Sequence, residues 1–208
     1  MRVLLTGFGP FPGAPTNPSA NLVRALARRR RPALSGAERR VHVFATCYAA
    51  VDRDLPKLFA ARPDVVLMFG LAGRRRGLSI ETRARNARSL LFPDASGHRP
   101  PNGVIAAGEP AARRGGAPFS RLLSAARGTA FPARLSRDAG RYICNYLYWR
   151  ALGEVRNGRP LVAFIHIPPI RRGSRRRAGR NAPPFIRLLA ASETLLIALI
   201  AAQRRQSC

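Results

Sequence analysis

Four short stretches of the chain are apolar almost without interruption: Arg2 to Thr6 (RVLLT), Arg40 to Thr46 (RVHVFAT), Asp64 to Gly70 (DVVLMFG) and Leu161 to Ile167 (LVAFIHI). They have strand length and are rich in β-branched or aromatic residues. Runs of this kind suit strands covered on both faces, and so a mostly parallel sheet. Between them the hydrophobic positions recur at helical spacing, from Pro18 to Arg30 with Asn17 as N-cap, from about Val51 to Ala61, from about Ala139 to Leu152, and from about Pro184 to Arg204. The alternation predicts an α/β fold, a three-layer α/β/α sandwich with a mostly parallel central sheet. The stretch from Leu90 to Pro118, rich in proline, glycine and asparagine, breaks the rhythm and reads as an irregular surface excursion or a small arm. The most membrane-like run, Glu193 to Ala202, has about half the length needed to cross a bilayer. Bounded by Glu193 and Arg204, it reads as a buried helix.

Length and cysteine usage narrow the class. With 208 residues, 46% of them hydrophobic, the chain suits one sizeable core and one domain over 1–208. The apolar run near the start, Val3 to Leu5, is too short for the core of a signal peptide. Cys47, Cys144 and Cys208 are widely spaced and odd in number, so they suggest neither a disulfide framework nor a metal pair. Both features fit a reducing cytoplasm.

Charge opens a second class. The chain carries 37 basic residues against 10 acidic, a formal net charge of +27, which attracts phosphates and acidic partners. The runs ARRRR (Ala27 to Arg31), GRRRG (Gly73 to Gly77) and RRGSRRR (Arg171 to Arg177) could each neutralise several phosphates. Against a nucleic-acid-binding protein, Lys57 is the only lysine, no aromatic residues interleave the arginine runs, and no zinc-finger spacing is present. The bias reads as compositional, with nonspecific nucleic-acid contact expected at low salt.

In an open α/β sheet, ligands bind beyond the carboxyl ends of the strands. His166 ends one such run, in FIHIPP, whereas His42 lies mid-strand and His98 in the irregular stretch. It is either a core histidine satisfied by hydrogen bonds or a catalytic one. Glu81, in the extended run GLSIETRARN, is the acid placed near a strand end. Alternation puts it on one face with Arg83 and Arg85, so it either pairs with those arginines or orients a histidine. Cys144, in RYICNYLYW, packs as a small hydrophobe or attacks an acyl carbon after a histidine takes its proton. If it opens a helix after Gly140, the positive helix end would lower its pKa.

Together these blocks resemble the pyroglutamyl peptidase I (pyrrolidone carboxyl peptidase) family of cysteine peptidases. LLTGFGPFPGAPTNPS is similar to the family's TGFxPFGG...NPS block, DAGRYICNYLYW to SAGxxxCN, and FIHIPP to FxHxP. The resemblance implies Cys144 as nucleophile, His166 as its base and Glu81 as the carboxylate of a catalytic set. It also implies substrate-binding roles for Phe8, Phe11, Asn17, Tyr142 and Ile143, with the phenylalanines walling the pyroglutamyl ring. No metal or organic cofactor, a cytosolic location and a homo-oligomer, often a tetramer, come with it. The activity implied is removal of N-terminal pyroglutamate; a family member altered to act on another amide is the alternative. The chain departs from the pattern at Thr82 after Glu81, at Leu91 where an arginine that helps stabilise the oxyanion is usual, and at Leu71 in place of a glutamine.

Overall fold

The structure, a computed structural model, describes residues 1–11, 13–170 and 183–206. In chain order it runs β1 (Arg2–Phe8), α1 (Pro18–Ala27), β2 (Glu38–Phe44), α2 (Tyr48–Ala60), β3 (Val65–Leu71), β4 (Leu78–Glu81), β5 (Arg83–Arg85) and β6 (Ala112–Arg114). Then follow α3 (Phe119–Arg127), β7 (Ala133–Ser136), α4 (Ile143–Gly153), β8 (Leu161–Ile167) and α5 (Phe185–Gln206). Six strands form the central sheet in the order β2-β1-β3-β8-β4-β7, and β5 pairs separately with β6. Every pairing in the large sheet is parallel except that of β4 with β8.

The apolar residues of β1, β3 and β8 serve two faces. Leu5, Leu67, Phe69, Ile165 and Ile167 join the side chains of α1, α3 and α5 in one cluster. Leu4, Val66, Met68, Val162 and Phe164 join those of α2 and α4 in the other. Sheet and flanking helices make the three layers expected from the alternating pattern. Helix α5 is long and apolar enough to cross a membrane by length and composition. It instead packs against α1, α3, β3 and β8 as a core helix.

Several elements depart from the sequence reading, each for a local reason. The β2 strand is an edge strand, with Arg40 and Val41 exposed, rather than a run covered on both faces. Its charged side chains protect that edge from further pairing. The α4 helix begins at Ile143 rather than Ala139, because Gly140 takes a positive φ of 81° and its N–H is held by Asp138 Oδ1 at 3.1 Å. The α1 helix ends at Ala27, short of Arg30, as the chain turns extended at Arg31 before Pro32. Helix α3 was not anticipated, although Phe119, Leu122, Leu123 and Ala126 recur at helical spacing. The stretch 90–118 is largely irregular and carries only β6 among the named elements. The RRGSRRR run lies outside the described residues.

Candidate active site

Strands β3 and β8 are paired in parallel with Gly70 opposite His166. Gly70 must be glycine: a Cβ there would stand 2.7 Å from the Cys144 Sγ and 2.9 Å from the Phe164 ring. The thiol therefore rests on bare backbone of β3, on the sheet face shared by Phe164 and His166. Cys144 is the second residue of α4, behind Tyr142 at the N-cap. The helix end was expected to lower the thiol's pKa, but burial outweighs it. Burial pushes the Cys144 thiol up to about 12; the Glu81 carboxylate adds to that effect and Arg75 opposes it. At neutral pH the thiol keeps its proton until a base removes it.

Across the sheet, β4 runs antiparallel to β8, so Glu81 faces Phe164 and its side chain reaches diagonally to His166. Glu81 Oε1 and His166 Nδ1 are 2.8 Å apart, with Glu81 fully buried and His166 5% exposed. With Nδ1 committed to the carboxylate, Nε2 is the ring nitrogen left for chemistry. The same Oε1 accepts a hydrogen bond from Arg75 Nη1, whose Nη2 donates to the Asp138 carbonyl at 2.6 Å. Burial alone would raise the Glu81 carboxyl. His166, Ser136 and Arg75 overcome it and hold the group below the usual carboxylate range. Arg75 is a residue the sequence reading missed. The arginine partners expected for Glu81 are engaged elsewhere: Arg83 Nε donates to the Arg137 carbonyl at 2.9 Å, and Arg85 Nε lies 3.7 Å from Asp138 Oδ1. Arg75 lies in the GRRRG run just before β4, where nothing in the spacing singles it out from Arg74 and Arg76.

The apolar residues carried over by resemblance separate into two groups. Phe8 and Ile143 belong to the same buried cluster, and Tyr142 and Cys144 pack against it. Phe11 lies in the loop after β1, its backbone paired with Ala14. Asn17 caps α1: its Oδ1 accepts from the Ser19 N–H at 3.1 Å and from Ser19 Oγ at 2.8 Å, while its Nδ2 donates to the Gly9 carbonyl at 3.2 Å. It thereby fixes the turn that carries the chain from β1 towards Phe11.

Two further polar residues hold the frame. Asn145 is fully buried and binds the 85–87 backbone, accepting from the Arg85 N–H at 2.8 Å and donating to the Arg85 and Ala87 carbonyls at 2.9 Å. The excursion is pinned by Asp94, which accepts from the Tyr48 N–H at the start of α2 at 3.0 Å. It is also pinned by Tyr142, whose hydroxyl donates to the Pro93 carbonyl at 2.8 Å. Leu91, where the usual arginine is missing, is 74% exposed. Arg88, an arginine of the same stretch, donates to Asn102 Oδ1 and the Val104 carbonyl, both at 2.7 Å. Among the described residues, no group of three or more His, Cys, Asp or Glu side chains could hold a metal.

The "Pyroglutamyl peptidase" family model matches residues 1–205. A pyrrolidone-carboxylate peptidase of Gloeobacter violaceus is 34% identical over 201 residues, 94% of this chain and 95% of that protein. One from Chromobacterium violaceum is 36% identical over 169 residues, 80% of this chain and 77% of that protein. Among solved structures, pyrrolidone carboxyl peptidase from Thermus thermophilus superposes with a TM-score of 0.85 at 30% identity, covering 95% of this chain and 100% of that one. Pyroglutamyl peptidase I of Bacillus amyloliquefaciens superposes with a TM-score of 0.84 at 28% identity, covering 97% and 98%.

Proposed function

This chain belongs to the pyroglutamyl peptidase family and is a cysteine peptidase that removes N-terminal pyroglutamate, and we propose that Cys144, His166 and Glu81 perform the reaction. The observation that carries this reading is the buried His166–Glu81 pair, 2.8 Å apart, beside a thiol seated on the bare backbone of Gly70.

His166 Nε2 takes the Cys144 proton as the sulfur attacks the pyroglutamyl carbonyl carbon, forming the C–S bond. Glu81, ionised and hydrogen-bonded to Nδ1, stabilises the imidazolium that results. The first N–H groups of α4 lack intrahelical acceptors and are suited to hold the oxyanion, in the absence of an arginine at Leu91. As the tetrahedral intermediate collapses, the C–N bond breaks and His166 gives its proton to the departing amine. Water then attacks the thioester with His166 Nε2 as base, the C–O bond forms, the C–S bond breaks, and the thiolate regains its proton. The lactam ring is uncharged and needs an apolar slot, for which Phe8, Phe11, Tyr142 and Ile143 are the candidates, with Asn17 setting the loop.

A nucleophilic thiol works only while reduced, which supports a cytoplasmic location. Family resemblance alone supports a homo-oligomer. To the +27 charge we attribute a nonspecific attraction for polyanions. The test is turnover of a pyroglutamyl amide bearing a chromogenic amine, under reducing conditions. Wild-type protein should release the amine, Cys144→Ala should release none, and Cys47→Ala should match wild type. Undiminished turnover by folded Cys144→Ala would overturn the mechanism.

A further inference from the structure

One cavity adjoins the triad without belonging to it. It measures about 360 Å³ and is lined by Arg74, Arg75, Arg76, Arg134 and Ser79, among others, and no acidic residue lines it. Ser79 stands directly opposite His166 in the β4–β8 ladder, one strand spacing or about 5 Å away. Arg75 spans the two sites, lining the cavity and bonding Glu81. Arg74, Arg76 and Arg134 are exposed and present their charge to solvent.

This placement bears on the part of the substrate that leaves. His166 hands its proton to the departing amine, so the departing peptide starts beside His166. Each extended residue carries the chain about 3.3 to 3.6 Å further. A departing chain that runs towards β4 would bring its second and third residues to the arginine cavity. Guanidinium groups pair with carboxylates through charge-assisted, often bidentate hydrogen bonds.

We infer that this cavity is a subsite for carboxylates in the departing portion of the substrate, so that the enzyme prefers pyroglutamyl peptides carrying acidic residues two or three positions past the scissile bond. The inference rests on His166 as the proton donor to that portion. Arg75 bonds Glu81 and Ser79 pairs with His166 in the ladder, whereas Arg74, Arg76 and Arg134 are exposed at the cavity and serve substrate choice rather than the chemical step.

The experiment compares pyroglutamyl-Ala-Glu-Glu amide with pyroglutamyl-Ala-Gln-Gln amide, and both with a small chromogenic pyroglutamyl amide. Wild type should show a kcat/KM about five- to thirty-fold higher for the acidic peptide, a preference that shrinks as salt is raised. In the Arg74→Gln/Arg76→Gln/Arg134→Gln variant the ratio should fall to about one, with turnover of the small amide unchanged. Equal kcat/KM for the two peptides in wild type overturns the proposal. A preference that survives in the triple variant also overturns it, assigning the effect to the general positive field. Failure to turn over the small amide would instead refute the His166 mechanism. In that event the subsite is still read by calorimetry of the two peptides on Cys144→Ala protein, where tighter binding of the acidic peptide supports it and equal affinities refute it.

Discussion

At the level of single residues, the site turns on how Glu81 stays ionised in a fully buried position. A buried carboxylate without partners would take up a proton. Here the Glu81 carboxyl is opposed by burial and held down by His166, Ser136 and Arg75 together. Because its folded pKa lies below the ordinary value of about 4.3, its ionised form stabilises the fold above that pH. The contribution is lost as the pH falls through the depressed folded value. Glu81→Gln keeps the shape and loses the charge, and should reduce kcat by about ten- to ten-thousand-fold. Arg75→Gln leaves the carboxylate with one cation fewer, so the acid limb of kcat/KM should move to higher pH, and Arg75→Lys should recover part of the shift. Pre-steady-state and pH-rate measurements on the three variants check this. An unchanged acid limb in Arg75→Gln, with only a lowered melting temperature, would make Arg75 purely structural.

At the level of elements, the frame around the thiol depends on one strand leaving space. A Cβ on Gly70 would collide with both the Cys144 Sγ and the Phe164 ring. Neither can retreat easily, since Phe164 is fully buried and Cys144 is fixed in the first turn of α4. Gly70→Ala should therefore cost about 1 to 3 kcal/mol of stability and lower turnover disproportionately by shifting the sulfur. Thermal melts alongside kcat on the same preparation test this; a destabilised variant with wild-type kcat would show that the sulfur's seat is not critical. The same geometry explains what could be read in advance. The strands β1, β3 and β8 announce themselves because both faces are buried, and His166 stood out because it ends one of them. By contrast β4 to β7 are three or four residues each and β5 and β6 are mostly arginine, so hydrophobic periodicity has little to act on. That is why Glu81 could be placed on an extended run while its true arginine partner was missed. Arg75 reaches Glu81 through a turn, whose geometry the spacing of residues does not disclose.

For the whole molecule, the question is what a net charge of +27 does once folding has used the acids. Much of the acidic complement is committed to internal anchoring. Glu193 holds Arg29 through two hydrogen bonds, at 2.8 and 2.9 Å, and also pairs with Arg31 at 3.2 Å, tying the first arginine run to α5. Glu81 holds Arg75 of the second run, and Asp52 pairs with Arg150. These pairs engage only some of the arginines and leave their neighbours, among them Arg30, Arg74 and Arg76, on the surface. Some of these arginines line the cavity beside β4, and the described arginine runs carry no aromatic platform for bases. Such a surface binds polyanions by counterion release, with affinity that falls steeply in salt and ignores sequence. Two unrelated DNA duplexes should therefore bind with equal affinity at about 20 mM salt and lose about a thousand-fold or more by about 200 mM if some six phosphates are neutralised. Fluorescence anisotropy across a salt series checks both statements. Tight binding of one duplex over the other at physiological salt would show a built nucleic-acid site, and the arginine runs would then need an explanation beyond composition.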